Sequence, residues 1–203
     1  MKTMASSEAL ELLLAGDYTA ALENLEKEMY PLEYAYAEFL AGEFDLANEL
    51  LSGVDSIRAN WLRDLILLMK KQRMENVTYF QIRNFLELDI DLFIRAQKIN
   101  YLEKLLAYSE VLTEINKECY KFIGRILYNN NLRSLAKVYL DKYKDVVYYD
   151  PELHFIYAKY YLEGRDYKMA LASINQCLQV LPEYFPAKNL KDEIMRFLIS
   201  AQS

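Results

Sequence analysis

The chain has 203 residues, 53% hydrophobic and 27% charged, enough apolar material for a continuous core and too much for a disordered chain. Five Gly and four Pro are too few for an all-β chain built on tight turns, and no apolar run reaches membrane-spanning length. The net charge of −6 conceals a division: residues 1–56 carry twelve acids against Lys2 and Lys27, and the remainder is net basic by four. That division is either the ordinary variation of solvated helix faces, or the mark of two ends that meet different partners or each other. Glu8, Glu11 and Asp17 interrupt the short N-terminal apolar run, which excludes a secretory signal. Cys119 and Cys177 lack metal-type or redox-type spacing and are expected as buried free thiols in a cytoplasmic protein.

In chain order, the first element is a phrase that occurs twice. "LAGDYTAALENL" sets Gly16-Asp17-Tyr18 ahead of Ala21, and "LAGEFDLANELL" sets Gly42-Glu43-Phe44 ahead of Ala47. Each reads as a turn and the second helix of a hairpin. Residues 5–52 are therefore expected to hold two short, degenerate repeats, clipped near Tyr30-Pro31. Residues 55–82 read as an irregular helix pair: helix, polar break, helix. Asp55 or Ser56 is placed to cap the first helix and Asn76 the second, and Trp61, Leu65 and Leu68 stripe the first.

Three longer units follow. In 83–116, Leu86, Ile90 and Phe93 precede Leu102 and Leu106. In 117–150, Tyr120, Ile123, Gly124 and Leu127 form one helical stripe, Asn129, Asn130 and Asn131 form the turn, and Ala136, Leu140 and Tyr143 form the second stripe. In 151–184, His154, Tyr157, Ala158 and Tyr161 precede Gly164, which suits a left-handed turn. Asp166 then caps a helix striped by Ala170, Ile174, Cys177 and Leu181 and stopped by Pro182. Residues 185–200 read as a lone helix covering the last apolar face.

The recurrence of Leu102, Ala136 and Ala170 resembles the tetratricopeptide repeat family. Its 34-residue motif has a small residue at the eighth position, Tyr at the eleventh, Ala at the twentieth and Pro at the thirty-second. Residues 151–184 match through Ala158, Tyr161, Tyr167, Ala170 and Pro182. Residues 117–150 match through Gly124 and Ala136, with Tyr148 in place of Pro; 83–116 fits more loosely, and the register before it is degenerate. The resemblance implies an all-α fold, one domain over 1–203: a right-handed α-solenoid of antiparallel helix pairs with a C-terminal capping helix.

It also implies a concave binding face. The family's groove positions fall on Asn84, Glu87, Asp91, Ile94 and Arg95, then Glu118, Lys121, Arg125, Tyr128 and Asn129, then Glu152, Phe155, Lys159, Leu162 and Glu163. Lys121, Arg125, Tyr128, Asn129, Phe155, Lys159 and Leu162 are the candidate binding residues. They suit a protein or peptide with acidic and apolar side chains, or a carboxylate terminus. The clamp with which some relatives hold chaperone tails is broken: Lys121 matches it, but Arg125, Ile156, Pro186 and Leu190 replace its other groups.

No phosphate loop, metal-ligand spacing or nucleophile elbow occurs, so no enzyme activity, cofactor or metal is expected. His154 is expected to pack, most of the eighteen Tyr likewise, and Asp89, Asp91, Asp141 and Asp145 to lie at helix surfaces or ends. The expected function is a non-enzymatic protein–protein interaction scaffold. The alternatives are a regulatory or oligomerising appendage of an enzyme carried on another chain or a missing segment, or an RNA-binding helical repeat. Acidity and the lack of a continuous basic stripe argue against RNA, and no membrane partner is expected.

Overall fold

The computed structural model describes residues 6–147 and 149–200, and no strand occurs among them. Tyr148, which stands where the repeat motif has Pro, lies outside the described residues. The helices are α1 (Ser6–Leu14), α2 (Tyr18–Asn24), α3 (Pro31–Ala41), α4 (Phe44–Leu50), α5 (Ile57–Met69), α6 (Tyr79–Arg95), α7 (Ile99–Ala107), α8 (Ser109–Ile115), α9 (Cys119–Asn129), α10 (Arg133–Val146), α11 (Pro151–Glu163), α12 (Tyr167–Val180) and α13 (Phe185–Ser200). The protein is all-helical.

Six of these helices end in the same way. Behind α1, α3, α5, α6, α9 and α11 stands one left-handed residue: Gly16, Gly42, Lys71, Gln97, Asn131 and Arg165 respectively. Its N–H reaches the carbonyl three residues back, as from Gly16 to Leu13 and from Arg165 to Leu162. The next N–H reaches five back, as from Asp17 to Leu12 and from Asp166 to Tyr161. This double bond pattern satisfies carbonyls that the helix end leaves free. In the last unit the left-handed residue is Arg165; Gly164, expected there, is right-handed with φ −75°.

Five of the six turns lead into a second helix with a common start. Ala21, Ala47, Leu102, Ala136 and Ala170 donate its first hydrogen bond to a carbonyl four residues back, and all five are buried. The Asp17 and Asp166 carboxylates cap two of these helices, accepting from Ala20 N and Met169 N. Successive helices therefore fold back as hairpins: α1 packs on α2, α3 on α4, α6 on α7, α9 on α10, α11 on α12, and α12 on α13, while α6 also packs on α9 beyond the next two helices. A Cβ on Gly124 would lie 2.7 Å from the Leu140 side chain, so that crossing needs a residue without one.

The third unit breaks the pattern. After Lys71 the chain runs without helix through residues 73–77, so α5 has no second helix of its own. Asp64, 2% exposed, holds this segment: its Oδ1 accepts from Glu75 N at 2.7 Å and from Asn76 N at 3.3 Å. Ser56 caps α5. Thr78 rather than Asn76 caps α6, in a reciprocal box with Gln81.

The N-terminal units are rolled together. The rings of Phe39, Phe44, Phe93 and Tyr101 meet from α3, α4, α6 and α7, with centroids 5.2–6.0 Å apart. Tyr101 Oη donates to Phe39 O across this cluster. The α1–α2 turn abuts the end of α6, where a Cβ on Gly16 would lie 2.5 Å from the Arg95 carbonyl carbon. Gly16→Ala is therefore expected to destabilise by about 2–4 kcal/mol, since neither backbone can yield and φ is +90°. Gly42→Ala, equally left-handed but 3.8 Å from its nearest neighbour, is expected to cost only about 1–2 kcal/mol. Denaturant unfolding of the two variants checks the difference.

Asp89 was expected at a helix surface and is instead fully buried. Both Arg58 Nη atoms donate to its carboxylate, at 2.9 and 2.7 Å, and Trp61 Nε1 donates to Oδ2. The Arg58 guanidinium lies between the Tyr36 and Phe85 rings, 4.5 and 4.7 Å from their centroids. The Tyr36 hydroxyl is buried beside the same carboxylate without meeting hydrogen-bond geometry. Asp91 is also engaged, by Arg95 and by Asn130.

At the other end, α13 buries Ala187 and Ile194 in a smaller cluster with Ala158, Ala170, Ile174 and Cys177.

Candidate partner-binding surface

Side chains of α6, α9 and α11 touch across the units, Glu87, Arg125 and Glu152 among them. Arg125, from α9, donates to both oxygens of Glu87 on α6, at 2.7 and 2.5 Å, and also to Glu152 on α11. Lys121 Nζ lies 2.8 Å from Glu118, 2.8 Å from Asp150 and 3.3 Å from Glu152. Tyr128 Oη donates to Glu163, which also pairs with Arg133. Tyr143 Oη donates to Asp150, so one aspartate gathers Lys121, Tyr143 and the first N–H groups of α11.

Lys121 and Arg125 therefore face their own carboxylates, which corrects their reading as cations offered to an acidic peptide. The Lys121 side chain is only 7% exposed. Burial alone would lower its pKa, but hydrogen bonds with Asp150 and Glu118 outweigh that and hold the ammonium well above its ordinary range. Its hydrogen bond pulls Glu118 below the usual carboxylate range. Asp150 also falls, because Lys121 and Tyr143 outweigh its burial. Arg125 is raised by its hydrogen bonds to Glu87. The signal was present in the sequence: Glu87, Arg125 and Glu152 fall on groove positions of consecutive repeats with alternating sign.

Tyrosine hydroxyls do similar work elsewhere. Tyr139 donates to Leu106 O, and Tyr157 to Asp141, joining α10 to the units before and after it. His154 is 2% exposed within α11. Burial pushes the Cys119 thiol up to about 12 and the Cys177 thiol to about 11, away from the thiolate that nucleophilic chemistry requires. Among the described residues no group of His, Cys, Asp or Glu is arranged to hold a metal ion, and no helix is long and apolar enough to cross a membrane.

The other candidate residues separate. Asn129 is exposed. Phe155 is half-buried against the Tyr184 ring, 5.4 Å away. Lys159 lies over the Tyr128 ring at 5.4 Å. Lys159 and Leu162 also line a cavity of about 500 Å³ between α11 and α13, with Arg165, Tyr167, Leu190 and Phe197. The Tyr167 and Phe197 rings stack there, 5.6 Å apart and 4° from parallel, and Glu163 and Glu193 complete the lining. Sequence reading missed the α13 wall because it assigned that helix to covering alone.

No family model matches the chain, and no curated protein or solved structure does. The geometry of the site therefore carries the functional reading by itself.

Proposed function

We propose that the protein is a non-enzymatic interaction scaffold: a TPR-like, right-handed α-solenoid that holds a segment of a partner protein at the C-terminal end of its concave face. The buried free thiols suit a reducing compartment such as the cytoplasm. One observation carries the placement of the site. Ion pairs close the concave face from α6 to the start of α11, and the α11–α13 cavity is where groove residues still line open space. Its apolar walls, Leu162, Leu190 and Phe197, exclude water from a partner's aliphatic side chains, while Lys159 and Arg165 meet an acidic neighbour.

Lys159 is not part of the inter-unit ion pairs and touches the preceding unit only at the Tyr128 ring, so its reversal disturbs the fold far less than that of Lys121 or Arg125. With Lys159→Glu and Leu162→Ala combined, partners recovered by affinity purification and mass spectrometry are expected to fall at least tenfold. The Lys159→Glu change alone should move stability by no more than about 0.5 kcal/mol. Equal recovery with the double variant removes this cavity as the site.

A further inference from the structure

The third unit lacks its second helix, and the space beside it stays open. Two adjoining cavities, of about 540 and 410 Å³, meet at Arg73 and Tyr108 along the 73–77 segment and α7–α8. The first has an apolar floor of Leu68 and Ala107 and a rim of Lys71, Arg73 and Lys104, with no acid in its lining. The second is floored by Met74, Val77, Val111 and Ile115, with Ile115 41% exposed, and its one acid, Glu75, stands beside Arg73, so the cationic part of the trough is the first cavity's rim.

The charge at this trough differs from that between α6, α9 and α11. Lys121 and Arg125 are neutralised by carboxylates of neighbouring units, whereas Lys71 and Arg73 make no ion pair among the described residues. Lys104 is fixed at the rim by its bond to Met69 O at the end of α5. In five other units the second helix begins two residues after the left-handed residue, as Tyr18 follows Gly16 and Tyr167 follows Arg165. The same rule puts the start of the missing helix at Arg73, beside the unpaired cations.

We propose that this trough docks a helix from a partner protein, lying beside the 73–77 segment where the array lacks its own. The helix is aliphatic along the face that meets Tyr108, Val111 and Ile115, and acidic in its first turn, which meets Lys71 and Arg73. Acids in a first turn also complement the helix's own dipole, so one feature serves both contacts. The surface is separate from the α11–α13 cavity and stands whether or not that cavity binds.

The test is selection from a display library of helix-forming peptides, about ten residues or 15 Å long, on the intact protein. Enriched peptides are expected to carry Asp or Glu in the first turn and aliphatic residues at i, i+3 and i+4. Their affinity should fall at least tenfold in Lys71→Glu/Arg73→Glu, whose positions are exposed and leave the core untouched, and should be unchanged in Lys159→Glu. Enrichment without acids, affinity unchanged by the double reversal, loss only with Lys159→Glu, or binding of a single-stranded RNA oligonucleotide but of no peptide overturns the proposal.

Discussion

Asp89→Ala is expected to destabilise the fold by about 3–5 kcal/mol. The change strands the Arg58 guanidinium between two rings and leaves Trp61 Nε1 without an acceptor in a fully buried site. Burial pushes the Asp89 carboxyl above its ordinary range in spite of Arg58 and Trp61, so desolvation outweighs the ion pair's effect on its proton. The cost of Asp89→Ala therefore measures the uncompensated partners rather than a large net gain from the pair. The double substitution Arg58→Met/Asp89→Leu separates these terms. It should recover the part of the loss due to the stranded guanidinium, because it removes both charges together and fills the space with apolar atoms, while Trp61 Nε1 still lacks an acceptor. Trp61, the only tryptophan, sits in the network, so its fluorescence during denaturant unfolding reports both variants directly. Recovery below about 1 kcal/mol would show that the network itself is net stabilising.

Lys121→Ala is expected to cost about 2–3 kcal/mol, less than a fully buried pair because its partners Asp150 and Glu152 keep 12% and 37% exposure. Loss of the ammonium leaves three carboxylates, Glu118, Asp150 and Glu152, around one vacated position between α9 and α11. Hydrogen exchange checks the location: amides of α9 and α11 should lose protection, while those of α3 and α6 keep theirs. Lys121→Glu should be worse than Lys121→Ala, since it adds a fourth carboxylate to the cluster. Any loss of partner binding in such a variant would follow from loosening the junction, which is why Lys159 is the appropriate probe of binding.

How much was legible depends on where each residue's partners lie in the chain. The hairpins of α9–α10 and α11–α12 could be read because stripe, turn and small residue all lie within one unit. Asn131 and Asp166 also announce their turn and cap by chemistry. The turns at Lys71 and Gln97 carry no such mark, since the left-handed residue has an ordinary side chain and only the backbone bonds reveal it; at Arg165 the mark, Gly164, stands one residue early. The third unit was read as helix, polar break, helix, and a break does lie between α5 and α6; what went unseen is that it stands where the other units have a second helix. Asp89 was visible in principle. It lies on the buried stripe of Ile82, Leu86 and Phe93, where a carboxylate demands a partner. Its partners, Arg58 and Trp61, come from another helix, so sequence spacing on α6 alone did not supply them. Lys121 poses the same difficulty: a lysine at a groove position looks solvated until Asp150 and Glu152 are brought to it by the next unit.

The seat of Gly16 against Arg95 and Ala96 has a consequence for how the chain comes apart. It latches the first hairpin to a point far along the sequence, so α1 through α6 cannot fray one hairpin at a time from the amino end. α13, by contrast, packs mainly on α11 and α12, its neighbours in the chain. Local opening of α13 would thus cost the α11–α13 cavity while leaving the third unit's trough in place.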